Sequence, residues 1–305
     1  MAKYASTLGA SVQIEERDGN LLVRSVIDEG TVIVLTLPLA ASLPFRNYFN
    51  QTKPVLLPLS AVIITVNQEK KIAKTIEALK TLTDDIVVVD SGSKDATRTV
   101  AAALGACVFE RPWSGYSEQK NFGNDQAKYD WILSVDDDEV VSDELAKSIR
   151  AAFASEPKAD AFNLPFRTVF AGKLIRFGGW NPETHIRIFN KKKIHWNTDA
   201  VHEGLTIRPE YSVQKLSGYV YHYTVDTLEQ FAQKTDRYST LFAEKGIKVG
   251  KRANFVKIYL SPAFRFLVEY VFKLGFLDGY YGLFIAKENA RYTYLKYKKL
   301  GEGRK

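Results

Sequence analysis

The sequence predicts an α/β fold in which a mainly parallel sheet lies between a small β appendage and a helical extension. Three patterns indicate this fold: hairpin-like alternation before residue 58, alternating strands and helices from residue 59, and helical periodicity near the C-terminus. At 305 residues the chain is long enough to bury a substantial core. We therefore expect an appendage and linker at 1–58, an α/β domain at 59–225 and a basic helical extension at 226–305.

Residues 11–38 have the pattern of β hairpins. Polar and β-branched apolar residues alternate on both sides of Asp18-Gly19 and Glu29-Gly30, which are turn-forming pairs. Two or three antiparallel strands are expected here. Prolines follow at positions 38, 44, 54 and 58, which is typical of a linker.

From Leu59 onward, short apolar runs alternate with segments of helical spacing. The predicted buried strands are LSAVIITV, DIVVVD, ACVFE and WILSV, and the predicted helices begin near Glu69, Asp95, Ser117 and Ser142. Four alternations predict a sheet covered on both faces, and ligands of such sheets bind beyond the carboxyl ends of the strands. Polar residues follow three of these strands, so we expect the functional residues there.

Composition and charge exclude several kinds of site. The single cysteine, Cys107, excludes an internal disulfide and a Cys-rich zinc site, and the four histidines lack helical zinc spacing. The net charge of +7 favours acidic partners such as nucleic acids, phospholipid surfaces or sugar nucleotides. No groove-reading motif accompanies the basic C-terminus, so we do not expect a nucleic-acid partner.

The start lacks the apolar core of a signal peptide, and no uncharged run reaches the ~18 to 20 residues of a spanning helix, so we expect a cytosolic protein.

Four consecutive acidic residues, Asp136 to Glu139, follow the fourth predicted strand. Like charges ~4 Å apart repel by about 1 kcal/mol even in water, so a cation is expected among them. Mg²⁺ or Mn²⁺ prefers such oxygen ligands and also binds the phosphates of a nucleotide. The alternative is the acidic first turn of a helix capped by Ser142, where negative charge favours the helix dipole. The apolar strand in front of these residues favours the metal.

A second polar cluster, Asp90-Ser91-Gly92-Ser93, follows the second predicted strand. A carboxylate followed by a glycine turn and hydroxyls offers an acceptor for a base or ribose, and backbone donors for polar oxygens. The alternative is a plain loop whose side chains cap the next helix. The presence of an acidic cluster at another strand end favours ligand binding.

Taken together, these segments resemble a known enzyme family. AVIITVNQEKKI, IVVVDSGSKDAT, WSGYSEQKNFG, YDWILSVDDDEVVS and HIRIFNKKKIHWNTDAVHEGL are similar to segments of the family-2 inverting glycosyltransferases, which have the GT-A fold. More narrowly, residues 59 to 300 resemble the lipopolysaccharide core β-1,4-glucosyltransferases. The resemblance implies that the α/β domain at 59–225 is a GT-A catalytic domain that requires Mg²⁺ or Mn²⁺ and a UDP-sugar donor.

The same resemblance implies which residues bind the donor and the metal. The expected donor contacts are Thr65, Asn67, Asp90, Ser91, Gly92, Lys120 and Asp137. Among them, Asp90 would contact the uracil and Lys120 would approach the nucleotide or its diphosphate. Asp136 and Asp138 would be the DxD pair that binds the metal. Asp137 departs from the family pattern, whose middle residue is usually small or apolar.

Val201-His202-Glu203-Gly204 resembles the family's HE motif. Inverting transfer needs a carboxylate that takes the proton of the acceptor hydroxyl as it attacks the anomeric carbon. Glu203 is the expected base, and Asp199 is the nearby alternative. The non-catalytic interpretation is a solvated acidic loop with a packed histidine.

The C-terminal region has an amphipathic pattern. Residues 261–286 are rich in aromatic side chains, with charges spaced near one helical turn, and a basic, tyrosine-containing segment follows. This pattern predicts docking on an anionic leaflet, where each basic residue adds about 1 kcal/mol. The alternative is a helical layer over the sheet with a soluble basic end.

The expected activity is therefore transfer of a hexose, with glucose as the leading candidate, from a UDP-sugar to the hydroxyl of a lipid-linked saccharide. We expect a role in lipopolysaccharide inner-core biosynthesis, at the cytoplasmic face of the inner membrane. Two alternatives remain: transfer to another lipid-linked or capsular saccharide, and a non-catalytic protein that binds sugar nucleotides or acts as a membrane scaffold.

Overall fold

The structure is a computed structural model that describes residues 56–180, 183–197 and 204–303 with their side chains, and the backbone of four strands between residues 4 and 38. Contacts divide the chain into two compact units, Met1–Val55 and Leu56–Lys305. The C-terminal helices therefore belong to the same compact unit as the α/β domain.

The first unit contains an antiparallel sheet in the order β1-β2-β3-β4. Its strands are β1 (Tyr4–Ala5), β2 (Ser11–Arg17), β3 (Asn20–Ile27) and β4 (Thr31–Pro38). Arg17 pairs with Asn20 and Ile27 pairs with Thr31, so β2, β3 and β4 are consecutive antiparallel strands. The hairpin prediction is confirmed, with a short additional strand at the start.

In the second unit, strands and helices first alternate as predicted. The elements are β5 (Leu59–Thr65), α1 (Ile72–Lys80), β6 (Asp85–Asp90), α2 (Thr97–Ala103), β7 (Cys107–Glu110), α3 (Tyr116–Gln126), β8 (Trp131–Asp136), β9 (Glu139–Val141) and α4 (Asp143–Ala152). The four predicted strands correspond to β5, β6, β7 and β8. Each is rich in β-branched or other apolar residues, and β5 is buried along its whole length.

The remaining elements form the rest of the sheet and a helical region. They are β10 (Ala161–Phe170), β11 (Lys173–Leu174), a 3-10 turn (Gly178–Trp180), β12 (Glu183–Asn190), β13 (Val213–Lys215), β14 (Val220–Val225), α5 (Leu228–Lys248), a π-helical turn (Val256–Leu260), α6 (Ser261–Leu267), a second π-helical turn (Val268–Phe272), a 3-10 turn (Gly275–Asp278) and α7 (Gly279–Glu302).

The large sheet has the order β7-β6-β5-β8-β12-β10-β14-β9, and β11 and β13 pair with β10. The first four strands are parallel, but β12 is antiparallel to both β8 and β10. The sheet is therefore mixed, whereas the sequence predicted a mainly parallel one. The antiparallel pairs involve strands after β8, for which no strands were predicted: β11 and β12 pair with β10, and β12 also pairs with β8.

Both faces of the sheet are covered. Ile63 belongs to the core cluster that packs on α1 and α4, and its neighbour Val62 belongs to the cluster on the other face, which includes Trp196. Successive residues of a strand point to opposite faces, which explains this division. A third cluster, around Phe170 and Ile285, joins the sheet to α7. Within the described residues, no helix is both long enough and apolar enough to cross a bilayer.

Candidate active site at the carboxyl ends of the strands

The polar strand ends meet at one edge of the sheet. Thr65 pairs in register with Asp90, and Ile64 pairs in register with Asp136. Because β5, β6 and β8 run parallel, the residues that follow them leave the sheet on the same side. The sequence-based expectation that these residues lie together is therefore confirmed.

Backbone contacts join the loops after β5 and β6. The N–H of Asn67 donates to Ser93 Oγ at 2.8 Å, and the N–H of Lys94 donates to Asn67 Oδ1 at 2.8 Å. The N–H of Gln68 donates to Thr97 Oγ1 at 2.7 Å. Asn67 has a φ of 53°, a left-handed conformation that Asn adopts more readily than most residues. Its side chain thus orders the two loops.

Asp90 is fully buried, and its carboxylate binds its own loop. Oδ1 accepts hydrogen bonds from the N–H groups of Gly92 at 3.0 Å and Ser93 at 2.8 Å, and the Ser93 hydroxyl donates to Oδ2. Arg98 Nε lies 3.8 Å from Oδ1. In this arrangement Asp90 shapes the loop, and Ser91 is the member of the cluster that lines the neighbouring cavity.

The acidic run forms the turn between β8 and β9 rather than the start of a helix. Helix α4 begins at Asp143, and Ser142 caps it by accepting a hydrogen bond from the N–H of Leu145 at 3.1 Å. Asp143 and Glu144 supply the negative charge of its first turn. The helix-start interpretation of residues 136–139 is therefore wrong.

Two buried cations contact Asp136. Lys120 Nζ lies 3.3 Å from Asp136 Oδ1, and Arg187 Nη2 lies 3.2 Å from Oδ2 and 2.6 Å from Glu139 Oε1. Burial opposes ionisation of Asp136, but the charges of Arg187 and Lys120 outweigh it and hold the pKa of its carboxyl below the usual range. Asp136 is therefore ionised at neutral pH.

The next two carboxyl groups in the sequence, those of Asp137 and Asp138, have different electrostatic surroundings. Burial raises the pKa of Asp137 to about 7; the nearby hydroxyl of Thr65 opposes this shift, and the charges of Asp138 and Asp136 add to it. Asp138 Oδ1 lies 3.4 Å from His222 Nε2. Burial lowers the pKa of His222, but the hydrogen bond and charge of Asp138 outweigh it, so the net shift is upward. The turn thus concentrates negative charge at the edge of the site.

A cavity of about 520 Å³ opens beside the turn. Its lining residues are Ile64, Thr65, Val66, Ser91, Trp113, Tyr116, Lys120, Asp136 and Asp137. Trp113 and Tyr116 contact each other edge to face, with ring centroids 4.7 Å apart, and Trp113 is 51% exposed. The cavity therefore combines aromatic side chains with the charged side chains of Lys120 and Asp136, which suits a ligand with a flat ring attached to phosphates.

A second cavity of about 480 Å³ shares Lys120 and Asp136 with the first. Its lining residues are Lys120, Asp136, Thr184, His185, Ile186, Arg187, Trp196, Gly204, Leu205 and Ile207. Lys120 Nζ lies over the ring of Trp196, 4.5 Å from its centroid. The two cavities therefore meet at one ion pair.

Hydrogen bonds hold Trp196 and Gly204, which both line the second cavity. The side-chain amide of Asn121 donates to the carbonyl of Trp196 at 2.9 Å and accepts from its N–H at 3.0 Å. The N–H of Asn197 donates to the carbonyl of Gly204 at 2.8 Å, and the N–H of Gly204 donates to Asn197 Oδ1 at 3.2 Å. Helix α3, which carries Asn121, thus positions Trp196, and Asn197 holds Gly204 next to it.

The predicted base, Glu203, and its alternative, Asp199, lie outside the described residues, as does His202. Glu203 directly precedes Gly204, which lines the second cavity. The role of the carboxylate stays a prediction.

Comparison with known proteins identifies the family. The family model described as "Glycosyl transferase family 2" matches residues 60–206. An uncharacterized glycosyltransferase of Rickettsia typhi (strain ATCC VR-144 / Wilmington) is 32% identical over 235 residues, which are 73% of this chain and 80% of the relative. The chain belongs to glycosyltransferase family 2.

Two further similarities accompany this match. The lipopolysaccharide core biosynthesis glycosyltransferase LpsC of Rhizobium meliloti (strain 1021) is 30% identical over 251 residues, which are 78% of this chain and 90% of LpsC. The crystal structure of S. aureus TarS 1-349 covers 81% of this chain and 90% of that chain, with 17% identity and a TM-score of 0.41. The resemblance predicted from the sequence is confirmed, and the family-2 glycosyltransferase has the predicted GT-A type of α/β fold, with helices on a mixed sheet.

The residues of this glycosyltransferase fit a Mg²⁺ or Mn²⁺ ion that is bound partly by protein carboxylates and partly by oxygens of a substrate. Asp136, with a side chain 35% exposed, lines both cavities, and the side chain of Asp138 is 17% exposed. In the part of the chain that the structure describes, no group of three or more His, Cys, Asp or Glu residues forms a metal site by itself. Mg²⁺ is usually bound by one or two carboxylates together with water and phosphate oxygens, and Asp136 and Asp138 are partly exposed carboxylates of that kind.

Several site residues were not assigned from the sequence. Trp113 and Tyr116 lie in the WSGY segment used for the resemblance, but no ligand contact was expected of them. No partner was predicted for Arg187, which pairs with Asp136 and Glu139. Arg187 lies in the segment HIRIFN, where polar and apolar residues alternate as in a strand. This pattern does not indicate which residue Arg187 pairs with.

Proposed function

We propose that this family-2 glycosyltransferase transfers a hexose from a UDP-sugar to a saccharide hydroxyl with inversion at the anomeric carbon. One observation carries the proposal: two cavities adjoin at the Lys120–Asp136 ion pair, so that a donor in one and an acceptor in the other would meet there. Glucose is the leading candidate for the hexose.

The first cavity is proposed to bind the UDP moiety. Trp113 and Tyr116 offer aromatic faces for the uracil, and Ser91 and Thr65 offer hydroxyls at the strand ends. Asp90 supports this site by ordering the loop that presents Ser91. Lys120 would bind the diphosphate, because its ammonium is buried at the junction of the cavities.

Asp136 and Asp138 are the proposed ligands of Mg²⁺ or Mn²⁺. Such an ion would supply Lewis-acid stabilisation of the negative charge on the departing UDP. Lys120 contributes positive charge beside Oδ1 of Asp136 and Arg187 beside Oδ2, and together they hold that carboxylate in place before substrate arrives.

The second cavity is proposed to bind the acceptor. The hydroxyl of the acceptor would attack the anomeric carbon from the side opposite the diphosphate. Glu203 would accept the proton of this hydroxyl, with Asp199 as the alternative base. A glycosidic C–O bond forms as the bond between the anomeric carbon and the phosphate oxygen breaks. Trp196 presents an aromatic wall for a sugar ring in this cavity.

The acceptor is proposed to be a lipid-linked saccharide of the lipopolysaccharide inner core, at the cytoplasmic face of an anionic membrane. The similarity to LpsC over most of both chains supports this assignment. Transfer to another lipid-linked or capsular saccharide is the nearest alternative, since the same site chemistry would serve it.

Metal-dependent release of UDP from UDP-glucose tests the proposal. The wild-type protein should release UDP with Mn²⁺ and not with EDTA, and Asp138→Ala should abolish release. Glu203→Gln should lose release while it still binds UDP, as measured by calorimetry with Mn²⁺. A protein that binds UDP but releases none from any sugar nucleotide would instead support the non-catalytic binding alternative.

A further inference from the structure

The helical segment between α5 and α7 exposes an unusually apolar face. Phe255, Phe264 and Phe272 are 69%, 65% and 69% exposed. The face, here called the apolar face, consists of Phe255, Val256, Tyr259, Leu260, Phe264, Leu267, Val271 and Phe272. Val256, Leu260, Phe264, Leu267 and Val271 follow one another at intervals of three or four residues, which places them on one side of the helical run. Large exposed apolar surfaces of soluble proteins usually mark an interaction site.

The groove beside this face is apolar as well. A shallow cavity of about 790 Å³ lies between α6 and α7, and Tyr259, Phe264 and Leu267 of the apolar face line it together with Tyr294. The opposite side of the run packs on α7, where Glu269 is 2% exposed and accepts a hydrogen bond from Asn289 at 2.8 Å. The run is thus a folded part of the domain with one side left uncovered among the described residues.

The charges around the apolar face are almost all positive. Lys251, Arg252, Lys257 and Lys273 are exposed next to it. The acidic residues of the segment 251–280 are Glu269 and Asp278, and neither offers a free charge at this surface. Glu269 is buried and pairs with Arg265, and Asp278 accepts hydrogen bonds from the N–H groups of Arg176 and Phe177, at 3.0 and 2.8 Å.

A short segment of the chain joins the apolar face to the second cavity, the proposed acceptor site. The N–H of Gly178 donates to the carbonyl of Lys273 at 2.9 Å, and Thr184, six residues further on, lines the second cavity. Six residues span at most about 21 Å. An acceptor attached to a lipid in a membrane under the apolar face would therefore reach the second cavity with a short saccharide.

We propose that the apolar face binds an anionic phospholipid leaflet, with Phe264 and Phe272 inserted among the acyl chains and Lys257 and Lys273 next to the headgroup phosphates. Aromatic side chains flanked by lysines are the pattern that favours the membrane interface. The positive residues around the face argue against a second copy of the protein as its partner. In a symmetric dimer, the same positive residues of both copies would lie close together and repel each other. The inference deepens the proposed function and rests on it for the lipid-linked acceptor.

Vesicle cosedimentation of the full-length protein, without donor or acceptor, tests the inference. The wild-type protein should bind vesicles of equal parts phosphatidylcholine and phosphatidylglycerol, and should bind phosphatidylcholine vesicles at least about tenfold more weakly. Phe264→Asp with Phe272→Asp should lower binding to the anionic vesicles at least about tenfold. Lys257→Glu with Lys273→Glu should do the same.

Matched controls separate specific docking from general adsorption. Val213→Asp with Tyr238→Asp changes exposed apolar residues outside the face, and Lys80→Glu with Lys158→Glu reverses two exposed lysines of the α/β domain. Both control pairs should bind within about twofold of wild type. Equal losses in the control and test pairs, or no vesicle binding by the wild type, would overturn the proposal.

Two further measurements complete the test. Light scattering should give the same mass for the wild type and the Phe264→Asp, Phe272→Asp variant; a wild-type dimer that this variant dissociates would assign the face to a second copy and overturn the proposal. UDP release from UDP-glucose in solution should be unchanged in that variant. Vesicle binding without any UDP release would reject the proposed activity but retain the docking face.

Discussion

Lys120 Nζ lies 3.3 Å from Asp136 Oδ1, and these two side chains line both cavities of the site. Lys120 is 3% exposed, so its charge acts in surroundings from which water is largely excluded. A single ion pair thus separates the proposed donor and acceptor cavities.

Replacing Lys120 with Met removes this charge and keeps most of the side-chain volume. We expect kcat for UDP release to fall about 100-fold, because the ammonium no longer stabilises the departing diphosphate. Steady-state kinetics with UDP-glucose and Mn²⁺ measures this. Lys128→Met, at an exposed position outside both cavities, should leave kcat unchanged, and a Lys120→Met enzyme as active as this control would remove Lys120 from the mechanism.

Trp113→Ala removes the exposed aromatic wall of the first cavity. We expect the KM for the UDP-sugar to rise about tenfold, since an aromatic contact of this kind contributes about 1 kcal/mol or somewhat more. The kcat and the melting temperature should change little, because the Trp113 side chain is half exposed. A fall in kcat with an unchanged KM would show that Trp113 does not act through donor binding.

Asp90→Asn weakens the hydrogen bonds that order the loop after β6. The carboxylate accepts from two N–H groups and a hydroxyl, and the amide cannot accept all three, so we expect a loss of about 1 to 3 kcal/mol in the free energy of unfolding. Urea denaturation measures this loss. Asp130→Asn, which affects an exposed ion pair with Lys192, is the control and should cost less than about 1 kcal/mol.

Gly218→Ala tests the contact between the β13–β14 turn and α4. Gly218 has a φ of 91°, and an added Cβ would lie 2.2 Å from the backbone nitrogen of Leu145. We expect destabilisation of about 3 kcal/mol or more, from strain and overlap together. Gly172, with a φ of 77° and open space around its Cβ position, is the matched control: Gly172→Ala should cost only about 1 to 2 kcal/mol.

Asp160 provides a pH-dependent contribution to stability. The hydrogen bond from Lys193 Nζ, with those from the N–H and hydroxyl of Ser212, lowers the pKa of Asp160 to about 2 from 3.8. A group whose pKa is lowered by folding stabilises the protein above its unfolded pKa, and this contribution is lost as the pH falls from about 4 towards 2. Melting temperatures of wild type and Asp160→Asn should therefore differ at pH 6 and converge below pH 4. A difference that stays constant over this range would contradict the assignment.

Much of the sheet edge that carries the candidate site could be predicted from local patterns. The runs at β5, β6 and β8 are apolar and continuous because both of their faces are buried, and their polar neighbours had to lie at one edge because parallel strands share a direction. The acidic turn and the Asp90 cluster were located in this way. The partners of these residues were not predictable, since Arg187 reaches Asp136 across 51 positions and no periodicity reports such a contact.

The sequence by itself determined the alternation of strands and helices, the acidic strand end and the family, because each follows from short-range order or from motifs that remain recognisable in one chain. The tertiary structure alone decided that the carboxylate of Asp90 points into its own loop, that two buried cations bind Asp136 and that aromatic side chains of the helical run stay uncovered. The physical reason is that burial and charge pairing depend on which distant segments pack together, and the strands after β8 bring those segments into contact.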